Sequence, residues 1–369
     1  MRHSSFLEID LGLLAQNVEG IRKLAGSAEL IPMVKADAYG NGLLPVSQFL
    51  NKECGVKNLG CASLGEALKI CDEAPQLDAE VMVFSDTEME NEELRSVYGN
   101  YKITPVLHRL SDIETYLKDS TFKKTPLVIK LNTGMNRLGL SFEELEKATK
   151  LLKGRSVDHL LTHFACSYYN LKENDKTHRQ MDEFKRMKSY LESSGVEVKA
   201  TSVANSGAIE QKFGTQESYV RPGLMLYGPY SVEPRIWQGH QISRLVTKVI
   251  KTFSVKKGTP VGYGINVTAE DSFIAIVSLG YGDGLMTFAS GVDISVNGTP
   301  GKIFARVNMD MAFIIFDQSA QGKIKENSSI EIWNHDARII CEMANQMKTH
   351  PYQLMCGITS RIPRIYKVK

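Results

Sequence analysis

The sequence predicts an α/β protein in which an N-terminal (β/α)8, TIM-like barrel is followed by a mostly-β domain. Three observations carry that prediction. Short apolar, β-branched stretches alternate with longer helical patterns through roughly the first 230 residues. After about residue 237 the texture changes to valine, isoleucine and threonine alternating with polar residues and broken by glycine. The length, 369 residues, suits one large barrel with an addition. The expected division is 1–236 for the barrel and 237–369 for the β domain, with the first ten or so residues available to pair with the latter. Strand counting alone leaves an open, doubly wound sheet as the alternative.

Taken in order, the eight apolar stretches are Leu30–Val34, Leu59–Ala62, Glu80–Phe84, Ile103–Val106, Leu127–Leu131, Asp158–Thr162, Lys199–Val203 and Val220–Leu226. Between them lie segments such as SLGEALKICDE, SFEELEKATKLLKG and THRQMDEFKRMKSYLESSG, whose apolar residues recur at three and four with charges on the opposite face. The segments LVTKVIKTFSVKKGTPVGYG and FIAIVSLGYGDG then read as strands of the second domain.

Composition narrows the function. Hydrophobic residues make up 43% and charged residues 23%, the balance of a chain that buries a sizeable core. Forty-four basic against 42 acidic side chains leave +2, with no block of one sign to follow nucleic acid or an anionic membrane. The start resembles no signal peptide and no run approaches the roughly 20 apolar residues of a membrane span, so a cytoplasmic location is expected. Six cysteines without a CxxC pair predict reduced thiols and no metal site.

Barrels place their chemistry at the carboxyl ends of their strands, so the polar residue after each apolar stretch is the first candidate. Lys35 follows the first stretch, Arg137 the fifth and His163 the sixth; Asn205 and Ser206 follow the seventh, and the eighth contains Arg221 and Gly223. Together they describe a basic pocket for an anion. A lysine leaving a buried strand loses hydration, which lowers its pKa and leaves an amine able to form a Schiff base. Each residue also has an ordinary reading: a solvated loop lysine, a structural arginine, a surface ion pair for Arg137, a plain N-cap for Ser206.

The run VKADAYGNG, followed in order by TGMNRLG, THF, ANS, RPGLMLYG, VGYG, GYGDG, VNMDM and PYQLMCGITSRIPR, resembles the alanine racemase family over nearly the whole chain. The resemblance implies that Lys35 holds pyridoxal 5'-phosphate as an aldimine and serves as one catalytic base. Tyr263 of VGYG would be the other, supplied by the second subunit of a homodimer. It implies a phosphate held by Tyr39, Ser206, Tyr352 and the backbone N–H groups of Gly223 and Leu224, and a pyridine nitrogen facing Arg221, with His163 beside it. The substrate carboxylate would fall to Arg137 and to the backbone of the partner's Met309. Tyr281 and Asp310 would lie near the entrance, Asn308 close to the substrate, and Lys130 beside Arg137, carbamylated in some relatives. Conversion of L-alanine to D-alanine, supplying peptidoglycan, is the implied role.

Two bases suit this chemistry, because racemisation removes a proton from one face of the α-carbon and returns one to the other. Three asparagines depart from the family's commonest pattern: Asn41 for histidine, Asn132 for aspartate and Asn308 for cysteine. Asn308 is the one expected near the substrate, and its amide would suit a hydroxyl, so a serine or broader racemase is the first rival. A decarboxylase of the same architecture and a non-catalytic carrier of the cofactor are the others. Activity across an amino-acid panel, carbon dioxide release and the effect of Tyr263→Phe separate them.

Overall fold

The structure is a computed structural model that describes residues 4–173 and 175–368. Strand β1 (Phe6–Asp10) precedes the barrel, whose strands are β2 (Glu29–Leu30), β3 (Asn58–Ser63), β4 (Glu80–Asp86), β5 (Ile103–Leu107) and β6 (Val128–Lys130). A two-residue strand, β7 (Ser156–Val157), pairs with β9 (Glu197–Val198) outside the barrel. The barrel resumes with β8 (His159–Leu161), β10 (Thr201–Asn205) and β11 (Tyr219–Arg221).

All eight barrel strands are parallel, in the order β2-β11-β10-β8-β6-β5-β4-β3. The two ends meet where Met33 bridges Gly60, with Val34 N–H donating to Gly60 O at 2.8 Å and Gly60 N–H to Pro32 O at 2.9 Å. Glycine leaves room there for the Met33 side chain, whose Sδ would lie 2.5 Å from a Cβ at residue 60. Alternation along the strands explains why their sequences are apolar throughout. Ile31, Met82, Phe84, Val106, Val128 and Leu161 pack together inside the barrel, while Val81, Val83, Leu107, Ile129 and Leu160 join the larger core under the helices.

The predicted stretches find their strands with shifted ends: β3, β4 and β5 run one or two residues past them, β6 and β8 stop short, and β2 shares only Leu30 with its stretch. The eighth also departs: after Arg221 the chain leaves the sheet, and Leu224–Tyr227 form a 3₁₀ turn whose side chains are all buried. The helices Leu64–Glu73 and Phe142–Leu152 begin at the capping boxes Ser63/Glu66 and Ser141/Glu144.

The second sheet comprises β12 (Ser243–Val255), β13 (Ser272–Val277), β14 (Asp293–Val296), β15 (Thr299–Phe304), β16 (Ala312–Asp317), β17 (Ser329–Trp333) and β18 (Arg364–Lys367). Their order is β14-β15-β16-β13-β12-β1-β18, with β17 also on β12. The long β12 shifts register between Val249 and Lys251, an irregularity of the kind that bends a strand shared by two sheet segments. Strand β1 runs antiparallel to β12 and parallel to β18. Its Glu8 accepts from Arg244 Nε at 2.6 Å and Nη2 at 3.1 Å, and pairs with Lys367 at 2.5 Å. Among the described residues no helix is long and apolar enough to cross a membrane, and no group of three His, Cys, Asp or Glu is placed to hold a metal ion.

Candidate active site

A cavity of about 210 Å³ opens at the carboxyl ends of the barrel strands, lined by Lys35, Ser85, Lys130, Arg137, His163, Asn205, Ser206, Arg221 and Gly223 together with Tyr39 and Tyr352. Among the described residues lining it there is no carboxylate. The cations therefore press on one another. Burial lowers the Lys35 amine below the ordinary lysine value, and the Arg137 guanidinium lowers it further. Burial and then Arg221, Arg137 and Lys35 bring Lys130 down to about 8. His163 lies well below the usual imidazole range, from burial first and then the same cations, so it is neutral.

Arg221 sits on the last barrel strand with its side chain turned inward and 4% exposed. Its guanidinium donates to Ser202 Oγ, to Thr162 O and, at 3.3 Å, to Val203 O. Ser202 Oγ in turn lies 2.8 Å from His159 Nε2, and burial pushes that imidazole down to about 3, so it is neutral. Burial brings Arg221 to about 9, which still leaves it protonated at neutral pH. It is a buried cation with neutral partners, held by a chain of hydrogen bonds through the barrel interior.

The opposite end of the cavity is a nest of donors. Asn205, not Ser206, caps the five-residue helix Ser206–Glu210; the Ser206 hydroxyl instead accepts the N–H of Gly223 at 3.0 Å and of Met225 at 3.4 Å. A Cβ at Gly223 would lie 2.5 Å from Tyr39 Oη, so only glycine lets backbone and phenol approach this closely. Burial keeps Tyr39 protonated far above the ordinary phenol range and pushes Tyr352 up to about 12, so both remain donors at neutral pH.

Lys35 leaves its strand into a left-handed turn: Ala36, Asp37, Ala38 and Tyr39 have φ of 53°, 54°, 52° and 55°. Each non-glycine residue there costs about 1–2 kcal/mol. The turn is closed by Ala38 N–H to Val34 O at 2.8 Å and Gly40 N–H to Ala36 O at 2.9 Å. Asn41 is buried and donates to Ala38 O and Tyr39 O at 2.9 and 3.1 Å. Asn132 organises the loop before Arg137 by accepting from Gly134 and Asn136 N–H.

The structure thus brings together Lys35, Tyr39, Lys130, Arg137, His163, Ser206, Arg221, Gly223 and Tyr352. Leu224 is a buried side chain at the neighbouring cavity. Tyr263, Tyr281, Met309 and Asp310 do not line the cavity of their own chain; they are exposed on the β domain, Tyr263 at 69%. There GYGDG and VNMDM are stitched together by Tyr281 N–H to Asn308 O and Gly282 N–H to Met309 O, both 2.9 Å, and Asp310 pairs with Arg361 at 2.8 Å. Asn308 Oδ1 is buried without a hydrogen-bond partner among the described residues. Ser85, Ser167, Tyr168 and Ser231 also line the cavity and were not singled out in the sequence. Ser85, next to the Glu80–Phe84 stretch, answers the strand-end rule; the other three stand on loops that carry no such signal.

A barrel whose strand ends gather a lysine amine, two guanidiniums and a cradle of hydroxyl and N–H donors is a lysine-centred enzyme of anionic substrates or cofactors. Comparison with known proteins sharpens this. The family described as "Alanine racemase, N-terminal domain" matches residues 9–231, and "Alanine racemase, C-terminal domain" matches 242–366. The chain is 32% identical to the alanine racemase of Carboxydothermus hydrogenoformans, covering 97% of this chain and 98% of that one, and 30% identical to that of Hahella chejuensis, covering 99% and 98%. Among solved structures, the alanine racemase of Acinetobacter baumannii superposes with a TM-score of 0.83 at 27% identity, covering 99% of each chain. That of Bartonella henselae, with covalently bound pyridoxal phosphate, gives 0.86 at 24% identity over 99% of this chain and 100% of that one. The chain belongs to the alanine racemase family and is a racemase, an isomerase.

Proposed function

We propose that this racemase interconverts L-alanine and D-alanine with pyridoxal 5'-phosphate in the barrel cavity, as a homodimer in which Tyr263 of one subunit faces Lys35 of the other. The observation that carries the reading is the lining: Lys35, Lys130, Arg137, His163 and Arg221 around one cavity, with a glycine cradle at one end and no carboxylate among the described residues. Those residues fit the cofactor. The donors at Tyr39, Ser206, Gly223, Leu224 and Tyr352 suit its phosphate, Arg221 suits a ring nitrogen, and the Lys35 amine suits its aldehyde.

When bound, the cofactor supplies an electron sink that acidifies the substrate α-carbon. The chain does the rest. Lys35, its amine depressed, accepts a proton on one face, and the partner's Tyr263 delivers or accepts one on the other. Arg137 makes no hydrogen bond or ion pair among the described residues and lies at the cavity, where its fork suits a carboxylate alongside the N–H of the partner's Met309. Arg221, protonated at neutral pH, would hold the ring nitrogen as a hydrogen-bond donor that keeps its own proton, which would favour an uncharged ring. Tyr281 and Asp310 shape the entrance. Lys130, brought down to about 8, would as its free amine bond the carbon of carbon dioxide and lose a proton to solvent, giving a carbamate beside Arg137; a signal from isotope-labelled bicarbonate that persists in Lys130→Met contradicts this. Residues 1–236 and 237–369 are read as the two domains, the enzyme as cytoplasmic, and the product as D-alanine for peptidoglycan.

The exposure of the Tyr263 side chain, away from the cavity of its own chain, supports delivery by a second subunit. A broader reading, with serine as substrate, would rest on the amide of Asn308, half-buried in the VNMDM segment of the β domain. The test is α-proton exchange of L-alanine in deuterated water. Wild type yields deuterated D-alanine and Lys35→Ala does not, while Tyr263→Phe keeps its bound cofactor but loses racemisation. Exchange with serine in preference to alanine changes the substrate; no exchange with any amino acid removes the reading.

A further inference from the structure

Glu66 caps a helix, but only part of its carboxylate serves the cap. Oε2 accepts the N–H of Ser63 at 3.4 Å, the reciprocal arm of the capping box, and also that of Ala62 at 2.8 Å. Oε1 reaches 2.6 Å to the N–H of Ala36, thirty residues away and immediately after Lys35. Ala36 is also the first residue of the left-handed turn, and its carbonyl accepts the N–H of Gly40 that closes it. Four successive non-glycine residues in this conformation persist only where their surroundings hold them. Below the turn, Val34 is already fixed to Gly60 of β3, so Glu66 and Gly60 hold the chain on either side of Lys35 from neighbouring positions.

We propose that Glu66 is a positioning residue for Lys35: its carboxylate clamps the start of the left-handed turn and so fixes the direction in which the lysine amine enters the cavity. The inference rests on the reading of Lys35 as the cofactor lysine. The contact is charge-assisted, and a carboxylate is the one side chain that accepts at both oxygens from the converging N–H groups of Ala36 and Ala62. Glutamine can serve one of them, since its NH₂ then faces the other N–H. The same carboxylate opposes the depression of the Lys35 amine by Arg137.

The test separates clamp from cap. Ser63→Ala removes the hydroxyl that accepts Glu66 N–H at 3.3 Å and leaves the Glu66–Ala36 bond in place; Glu66→Ala removes the clamp and leaves that hydroxyl. Measured on holoenzyme, Ser63→Ala lowers the thermal midpoint but keeps the wild-type rate of cofactor loss and kcat. Glu66→Ala loses cofactor about tenfold faster, and its kcat falls by about 100-fold, as a misplacement near 1 Å produces, with KM changed by less than about threefold. Its bound-cofactor absorbance changes at a lower pH than in wild type. Glu66→Gln falls between the two and decides the matter if Glu66→Ala does not fold. Wild-type cofactor retention, pH profile and kcat in Glu66→Ala, or in Glu66→Gln where Glu66→Ala does not fold, with a stability loss like that of Ser63→Ala, overturn the proposal. Borohydride reduction of wild type followed by peptide mass spectrometry distinguishes the other failure: an adduct at a lysine other than Lys35 removes the underlying reading, whatever the Glu66 variants do.

Discussion

Gly223→Ala isolates the cradle, because its consequence follows from a single contact. The new methyl carbon would sit 2.5 Å from Tyr39 Oη and 3.3 Å from Cζ, where ordinary contact begins at 3.4 Å, so the hydroxyl must withdraw by about 0.9 Å. Its φ of −119° is open to alanine, and its ψ of −90° asks for a small backbone adjustment in addition. Tyr39 has little room to yield, since it is 5% exposed and its ring centroid lies 4.8 Å from that of Tyr227 and 5.5 Å from that of Tyr352. A hydrogen bond to a charged group contributes about 1.5–3 kcal/mol, so losing the phenol from the phosphate raises the cofactor dissociation constant about 10- to 100-fold. Titration of apoprotein with pyridoxal phosphate, followed by absorbance, measures it; circular dichroism of the apoprotein should be unchanged. An unaltered dissociation constant in Gly223→Ala would refute the placement of the phosphate between Tyr39 and the Gly223 backbone.

Three further outcomes follow from the same geometry. Ser202→Ala leaves a buried Arg221 N–H unpaired and should cost about 1–3 kcal/mol of apoprotein stability in urea, against no measurable change if that N–H finds another acceptor. Burial raises Glu8, but hydrogen bonds and charge from Arg244 and Lys367 outweigh it and hold the carboxyl below its ordinary 4.5. Its contribution is therefore complete above 4.5 and lost as pH falls through the lower folded value, so the thermal midpoints of wild type and Glu8→Gln should differ at neutral pH and converge in acid. Asn308→Cys removes the half-buried amide and should lower the serine-to-alanine ratio of kcat/KM by about fivefold, the value of one modest hydrogen bond; an unchanged ratio detaches Asn308 from specificity.

The barrel was legible because parallel strands buried on both faces read as apolar runs, and because the residues after those runs carry the chemistry: Lys35, His163, Ser206 and Arg221 all reach one cavity. The same rule overextends where burial and strand part company, as at Leu224, Met225 and Leu226, which are apolar because a turn is buried. The left-handed turn was invisible, since Ala36 to Tyr39 contain no glycine to announce it. Ser63 and Glu66 could be read as a cap, but the second use of Glu66 exists only once β2 meets β3. Tyr263 was legible only as part of a motif; it stands exposed on the β domain and away from the cavity of its own chain, as the proposal of a shared site requires.

Mixing two inactive variants, Lys35→Ala and Tyr263→Phe, after subunit exchange tests the shared site most directly. If Tyr263 serves the partner's lysine, half of a statistical population is mixed dimers with one intact site each, and alanine racemisation returns to about a quarter of wild type. If both residues serve the same chain, every site in the mixture stays defective and no activity returns, which would contradict the account.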